Sequence, residues 1–301
     1  CDVNIFIEEE CLSGDVSELY WDVCLQPLSC IPMSSILIAI LLNSALIISP
    51  GLALWSPAVD QCGTYSGRII RIMVPSTVYG QSIPASVYLP PCYESSTELL
   101  PVIYLLHGGG ADETQWPDLR VKAEADALIA GGSRPFVVVM PGGVYEASLD
   151  YGAFMLDDLM PAIAEKLFVR TDPAGQAIGG ISLGGYWALK VTLQHPDQFA
   201  AVGGYSPVVV KGSDDLVAAA RTAAGLEQLR IALDVGNADA LAEGTQQLAE
   251  ALQSRGLDVS FTEQAGGHDR PYWRAHTGEY LRFMLESLTF PPYWHKCHPH
   301  P

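Results

Sequence analysis

Gly180-Ile181-Ser182-Leu183-Gly184 decides how the chain is read. It sets a serine between glycines, after a strand-like run over residues 176–180 and before a helix-like run over 183–194. A serine hydroxyl is a poor nucleophile at its free pKa, so a chain that uses one holds it on a sharp strand-to-helix turn within reach of a base. Glycines two positions to either side let the strand and helix backbones approach without a Cβ clash. The pentad alone is a weak signal, because glycine and serine are common in any loop. Its surroundings carry the argument.

Upstream, residues 100–106 form an apolar run of the length of a strand buried on both faces, ending in His107-Gly108-Gly109-Gly110. Such a glycine-rich loop exposes backbone N–H groups, which in acyl transfer face the oxyanion that develops on the attacked carbonyl. A flexible turn without a ligand is the alternative. Downstream, a buried-strand candidate at 229–235 precedes Gly236-Asn237-Ala238-Asp239, then a helix-like stretch at 241–255, a strand-like 259–262 and the loop Gly266-Gly267-His268-Asp269. The chain order Ser182, Asp239, His268 is the one used by α/β-hydrolases, and each candidate falls just past the carboxyl end of a predicted strand. Asp234 and Asp258 are rival acids. Asp234 lies inside a strand pattern and Asp258 at the wrong end of one, so the strand-end rule favours Asp239.

Strand-like and helix-like runs alternate over residues 62–290, without an internal repeat. This predicts a single α/β domain with a mostly parallel central sheet and helices on both faces, the helices starting near Asp118, Met155, Gly184, Asp214, Leu241 and Tyr272.

The His107-Gly108-Gly109 loop, Gly179-Gly180-Ile181-Ser182-Leu183-Gly184-Gly185, Asp239 after Gly236, and His268 in Gly-Gly-His-Asp followed by Trp273 together resemble the esterase D-like branch of the α/β-hydrolases. That branch includes feruloyl and acetyl-xylan esterases, S-formylglutathione hydrolase, enterochelin esterase and the mycolyltransferases. The resemblance runs from about residue 66 to 288 and takes in Val87-Tyr88-Leu89-Pro90-Pro91, Leu159-Met160-Pro161 and His195-Pro196-Asp197-Gln198-Phe199. It implies Ser182 as nucleophile, His268 as general base and then acid, Asp239 as the orienting carboxylate, and the N–H groups of Gly109 and Leu183 as the oxyanion hole. Members often carry Pro-Asp-Gly after the strand that here spans 135–140, where this chain has Pro141-Gly142-Gly143.

Trp116, after the oxyanion loop, and Tyr151, after the loop that follows Met140, are candidates to line an acyl or alcohol pocket, since sugar rings and phenolic acids both stack on such side chains. His107 is expected to hold the oxyanion loop by a hydrogen bond and to lie beside the substrate. Trp187 and Trp273 read as core or rim packing, and His195 and His276 as structural.

The formal net charge of −18 argues against nucleic acid or an anionic membrane surface as partner. No P-loop, dinucleotide fingerprint or convincing metal-ligand spacing is present, so no cofactor and no metal are expected. The tail over 291–301, with His295, Cys297, His298 and His300 among prolines, reads as a disordered end. Residues 36–48 are strongly apolar and match the length of a signal-peptide core better than that of a bilayer span. Residues 33–53 are therefore expected to be a signal peptide cleaved after Ala53, or alternatively an uncleaved N-terminal anchor, with 1–32 an upstream segment that is not native or is disordered. No Lys or Arg precedes Arg68, so the usual basic flank is missing. Of the seven cysteines, Cys62 and Cys92 flank the first two strand-like segments. If these pair as a hairpin around Tyr79-Gly80, a Cys62–Cys92 disulfide is geometrically plausible, two reduced thiols being the alternative.

These readings converge on a secreted serine ester hydrolase acting on a small-molecule or carbohydrate ester. Acyl transfer to a sugar hydroxyl and an idle binding protein with the same fold stand as alternatives.

Overall fold

A computed structural model describes residues 66–95, 97–145, 149–209 and 215–290. The expectations for residues 1–32, 33–53 and 291–301 lie outside the described residues. So does Cys62.

Eight strands form one sheet in the order β1-β2-β4-β3-β5-β6-β7-β8. β1 (Arg68–Ser76) and β2 (Gln81–Leu89) make the expected hairpin, with Arg68 opposite Leu89 and Ser76 opposite Gln81. Its turn uses Gly80 at φ 64°, a left-handed backbone that glycine adopts without steric cost. The buried Asp158 clasps this turn, accepting hydrogen bonds from the Ser76 and Thr77 hydroxyls and from the Thr77 and Val78 N–H groups. Cys92, the cysteine among the described residues, is disulfide-bonded.

β2 runs antiparallel to β4 (Val137–Pro141). From β4 onward neighbours are parallel: β3 (Val102–Leu106), β5 (Gln176–Ile181), β6 (Ala201–Tyr205), β7 (Arg230–Gly236) and β8 (Asp258–Gln264). The apolar runs in β3 and β4 have no polar alternation because both faces are covered. Val102, Tyr104 and Leu106 face one core, and Ile103 and Leu105 face the other.

The helices divide between these two cores. α1 (Gln115–Asp118), α2 (Val121–Ala130) and α8 (Arg270–Ser287) cover one face. The other is covered by α3 (Tyr151–Ala153), which continues through a π-helical turn at Phe154–Leu159 into α4 (Met160–Lys166), and by α5 (Leu183–Gln194), α6 (Asp215–Thr222) and α7 (Ala242–Gln253). The predicted helix starts thus lie within a few residues of the observed ones.

β6 carries little strand signal of its own, since Gly203 and Gly204 occupy its middle. Their bareness is a packing requirement. A Cβ on Gly203 would lie 2.3 Å from the Tyr205 hydroxyl, and one on Gly204 2.7 Å from Leu189 Cδ1 beneath α5. The chain passes from β3 to β4 on one side, then to β5 on the other side of β3. The carboxyl ends of β3 and β5 therefore flank the crevice where an open α/β sheet places its ligand.

Candidate active site

Ser182 occupies the turn between β5 and α5 with φ 56° and ψ −117°. A non-glycine residue held there stores on the order of 1–3 kcal/mol of strain and persists only where its surroundings over-determine it. They do so here. The Ser182 N–H donates to the Tyr205 carbonyl, and the Ser182 carbonyl accepts from the N–H groups of Tyr186 and Val208. The flanking glycines are obligatory for the same turn. A Cβ on Gly180 would sit 2.4 Å from the Gly184 backbone, and one on Gly184 2.3 Å from the His107 carbonyl oxygen.

The imidazole of His268 lies between the other two expected partners. Its Nε2 is 2.9 Å from Ser182 Oγ and its Nδ1 is 2.8 Å from Asp239 Oδ2. A carboxylate only accepts, so the neutral ring carries its proton on Nδ1, and Nε2 accepts from the serine hydroxyl. The Asp239 side chain is 0% exposed, whereas that of His268 is 35% exposed, so the carboxylate is sealed and the imidazole is open to solvent. Asp239 Oδ1 accepts from the Leu241 N–H, which fixes the carboxylate plane.

These two residues stand on different loops, and backbone bonds clasp the loops together. The Asn237 N–H donates to Gln264 and the Ala238 N–H to Gly266. Gly236 permits this closeness, since a Cβ there would lie 2.4 Å from the Gly266 carbonyl oxygen. The rival acids are accounted for elsewhere. Asp234 is buried under α8 and accepts from the hydroxyls of Tyr272 and Tyr280. Its burial raises its pKa, with those two hydrogen bonds opposing. Asp258 pairs with Arg230.

Leu183 is the first residue of α5, and a helix has no carbonyl one turn earlier to receive that N–H. The Gly108 N–H is taken by Gln115 Oε1 at 2.7 Å, which leaves Gly109 as the next donor on the loop. Gly109 and Leu183 are neighbours, since a Cβ added at Gly109 would lie 3.5 Å from Leu183 Cδ2 and 3.7 Å from Leu183 Cβ.

Trp116, Tyr151 and His107, the residues expected beside the substrate, are all buried. Trp116 is 1% exposed and packs in the core beside Tyr205, its indole N–H donating to the Leu106 carbonyl. Tyr151 is 1% exposed and lies among Tyr145, Phe154 and Trp187. His107 is 1% exposed, with both ring nitrogens against backbone carbonyls. Each is close to the site in sequence and turned inward by its own packing. The departure at Gly142 has a local reason: a Cβ there would meet Glu113 Oε2 at 2.8 Å and the Pro84 carbonyl at 3.1 Å. Glu113 is buried and paired with Arg71 at 3.0 Å.

Ser206 is the residue beside the site that sequence reasoning missed. Ser206 is fully buried at φ 47°, and it accepts the Trp273 indole N–H at 3.1 Å beside His268. No sequence signal marks a serine after a glycine-rich strand. Among the described residues, no cluster of His, Cys, Asp or Glu could hold a metal ion, and no helix is long and apolar enough to cross a membrane.

The sheet order, the strained serine turn and the strand-end acid and base define an α/β-hydrolase fold. The chain matches the family described as "Putative esterase" over residues 76–283, and it belongs to that family. An endo-1,4-beta-xylanase/feruloyl esterase of Xylanibacter ruminicola is 31% identical over 48% of this chain and 23% of its own length. An acetyl esterase of Caldicellulosiruptor saccharolyticus is 21% identical over 62% of this chain and 84% of its own. Among solved structures, a ferulic acid esterase superposes with a TM-score of 0.69 at 24% identity, covering 74% of this chain and 99% of that one. An S-formylglutathione hydrolase of Staphylococcus aureus gives 0.62 at 20% identity, covering 73% and 96%. The chain spans only 23% and 30% of two of the curated relatives it matches, the xylanase/feruloyl esterase and a Mycobacterium tuberculosis esterase.

Proposed function

We propose that the chain is a secreted serine carboxylic ester hydrolase that works through an acyl-enzyme on an acylated carbohydrate or another small extracellular ester. The observation that carries this reading is the continuous line from Asp239 Oδ2 through His268 to Ser182 Oγ, at 2.8 and 2.9 Å. His268 Nε2 takes the Ser182 proton as Oγ bonds to the ester carbonyl carbon. The N–H groups of Gly109 and Leu183 receive the charge that moves to the carbonyl oxygen. The imidazolium then protonates the departing alcohol as the C–O bond breaks, leaving Ser182 acylated. Water repeats the cycle and frees the acid. Asp239 holds the tautomer throughout without itself taking the proton.

The substrate class draws on relatives with feruloyl and acetyl esterase names. Export draws on the apolar stretch at 36–48 and on the disulfide at Cys92, a bond that persists in oxidising compartments. We read Cys62 as its partner and residues 33–53 as the leader or anchor. Acyl transfer to a sugar hydroxyl is a close variant, because the same acyl-enzyme serves either acceptor.

Hydrolysis of p-nitrophenyl acetate and of methyl ferulate by the wild-type chain and by Ser182→Ala tests the reading. Loss of the nucleophile is expected to lower turnover by about 10⁶. Unchanged hydrolysis by Ser182→Ala ends it.

A further inference from the structure

The imidazole of His107 is almost wholly enclosed, and its two nitrogens do something specific. Nδ1 lies 2.7 Å from the Gly108 carbonyl oxygen, and Nε2 lies 2.9 Å from the Gly143 carbonyl oxygen on the loop after β4. Gly108 C=O and Gly109 N–H are the two ends of one planar peptide group. A donor that pins the oxygen end therefore sets the direction of the N–H end. It also polarises the group, which strengthens that N–H as a donor.

The rest of the loop is braced around the same peptide. The Gly108 N–H is held by Gln115, the Tyr145 hydroxyl donates to the His107 carbonyl, and the Tyr79 hydroxyl donates to the Val144 carbonyl beside Gly143. The Gly108 carbonyl oxygen also accepts from the Ala111 N–H at 3.2 Å, so His107 supplies the shorter of these two contacts and the one made by a side chain.

We propose that His107 is a positioning residue for the reaction, donating from Nδ1 to the Gly108 carbonyl so that the Gly109 N–H points at the developing oxyanion. This rests on the reading of Gly109 as an oxyanion donor. Carbonyl oxygens only accept, so a ring with a single proton satisfies one of its two contacts. Burial lowers the proton affinity of the ring, against the raising effects of the Gly108 and Gly143 carbonyls and of Asp112 and Glu113. The single proton then belongs on Nδ1, at the shorter contact.

Isosteric replacements separate the two contacts. The amide nitrogen of Asn reaches the place of Nδ1, and that of Gln the place of Nε2. His107→Asn is expected to keep kcat within about threefold of wild type. His107→Gln and His107→Leu are expected to lower kcat about 10- to 100-fold with KM little changed, as for a donor misaimed rather than deleted. Affinity for a boronic acid transition-state analogue should fall in parallel with kcat/KM.

Thermal unfolding identifies which variants fold, and if His107→Leu does not, the comparison of Asn with Gln decides. Equal activity of folded Asn and Gln variants, or a loss confined to KM, overturns the proposal. Ser182→Ala, measured alongside, keeps the two readings apart. An active Ser182→Ala refutes the esterase reading itself, whereas an inactive one with no Asn rescue refutes only the role of His107.

Discussion

The indole of Trp273 stands nearly perpendicular to the imidazole of His268, with ring centres 5.0 Å apart and planes at 85°. Its N–H is anchored on the buried Ser206 hydroxyl. Asp239 holds His268 from one ring nitrogen, and Trp273 gives the ring a wall to rest against. Trp273→Phe keeps most of this wall and removes the N–H. It is expected to cost about 1 kcal/mol of stability, since Ser206 loses its donor in a buried place. A double-mutant cycle with Ser206→Ala, read by urea denaturation, should give a coupling of about 0.5–1.5 kcal/mol. Strict additivity would contradict the pairing.

Asp239→Asn keeps the shape of the side chain and can retain the bond from the Leu241 N–H. The amide favours the wrong imidazole tautomer, with the Nε2 proton facing Ser182. A fall in kcat of about 10⁴ at neutral pH is expected, with unchanged thermal stability as the control. Steady-state kinetics on p-nitrophenyl acetate measures it.

Gly184→Ala places a Cβ 2.3 Å from the His107 carbonyl and 2.5 Å from the Leu106 carbonyl, both backbone atoms that cannot swing aside. The expected destabilisation is about 3 kcal/mol, accompanied by loss of activity as the serine turn opens. Gly256→Ala is the comparison. It has open space around it but φ 75°, so only backbone strain of about 1–2 kcal/mol applies, and activity should persist. Equal effects at the two sites would show that the turn tolerates more than its packing suggests.

Asp234 offers a test of pH linkage. Burial raises its folded pKa above the ordinary value of 3.8, against the hydrogen bonds from Tyr272 and Tyr280. A carboxyl that binds its proton more tightly when folded adds stability as pH falls from above the raised value toward 3.8, and adds no slope outside that window. Asp234→Asn mimics the protonated form and should remove this slope. Denaturation midpoints of the variant and wild type, compared between about pH 4 and 8, give the difference directly. Identical slopes would place the titration elsewhere.

Much of this architecture is legible in the chain because its signals are local. The runs at β3 and β7 announce buried parallel strands, and the glycines around Ser182 mark a turn that needs them. Asp239 and His268 sit past strand ends, where parallel strands deliver side chains to one edge. β6 is harder to see, because its two glycines owe their place to Tyr205, Leu189 and Met284 rather than to strand propensity. The burial of Trp116, Tyr151 and His107 is hard to read from sequence for a related reason. An aromatic or histidine near a catalytic loop can turn outward to a ligand or inward to the core, and one position in the sequence is compatible with both.

Residue types and their spacing along the chain sufficed to specify the sheet, its carboxyl edge, and which serine, histidine and aspartate could meet there, since periodicity and glycine placement act over a few residues. Whether they meet within hydrogen-bonding distance depends on the Asn237 and Ala238 clasps, on Gly236 against Gly266, and on Ser206 beneath Trp273. Those contacts join segments about 30 to 70 residues apart, and only close packing, which leaves no slack for alternatives, selects them.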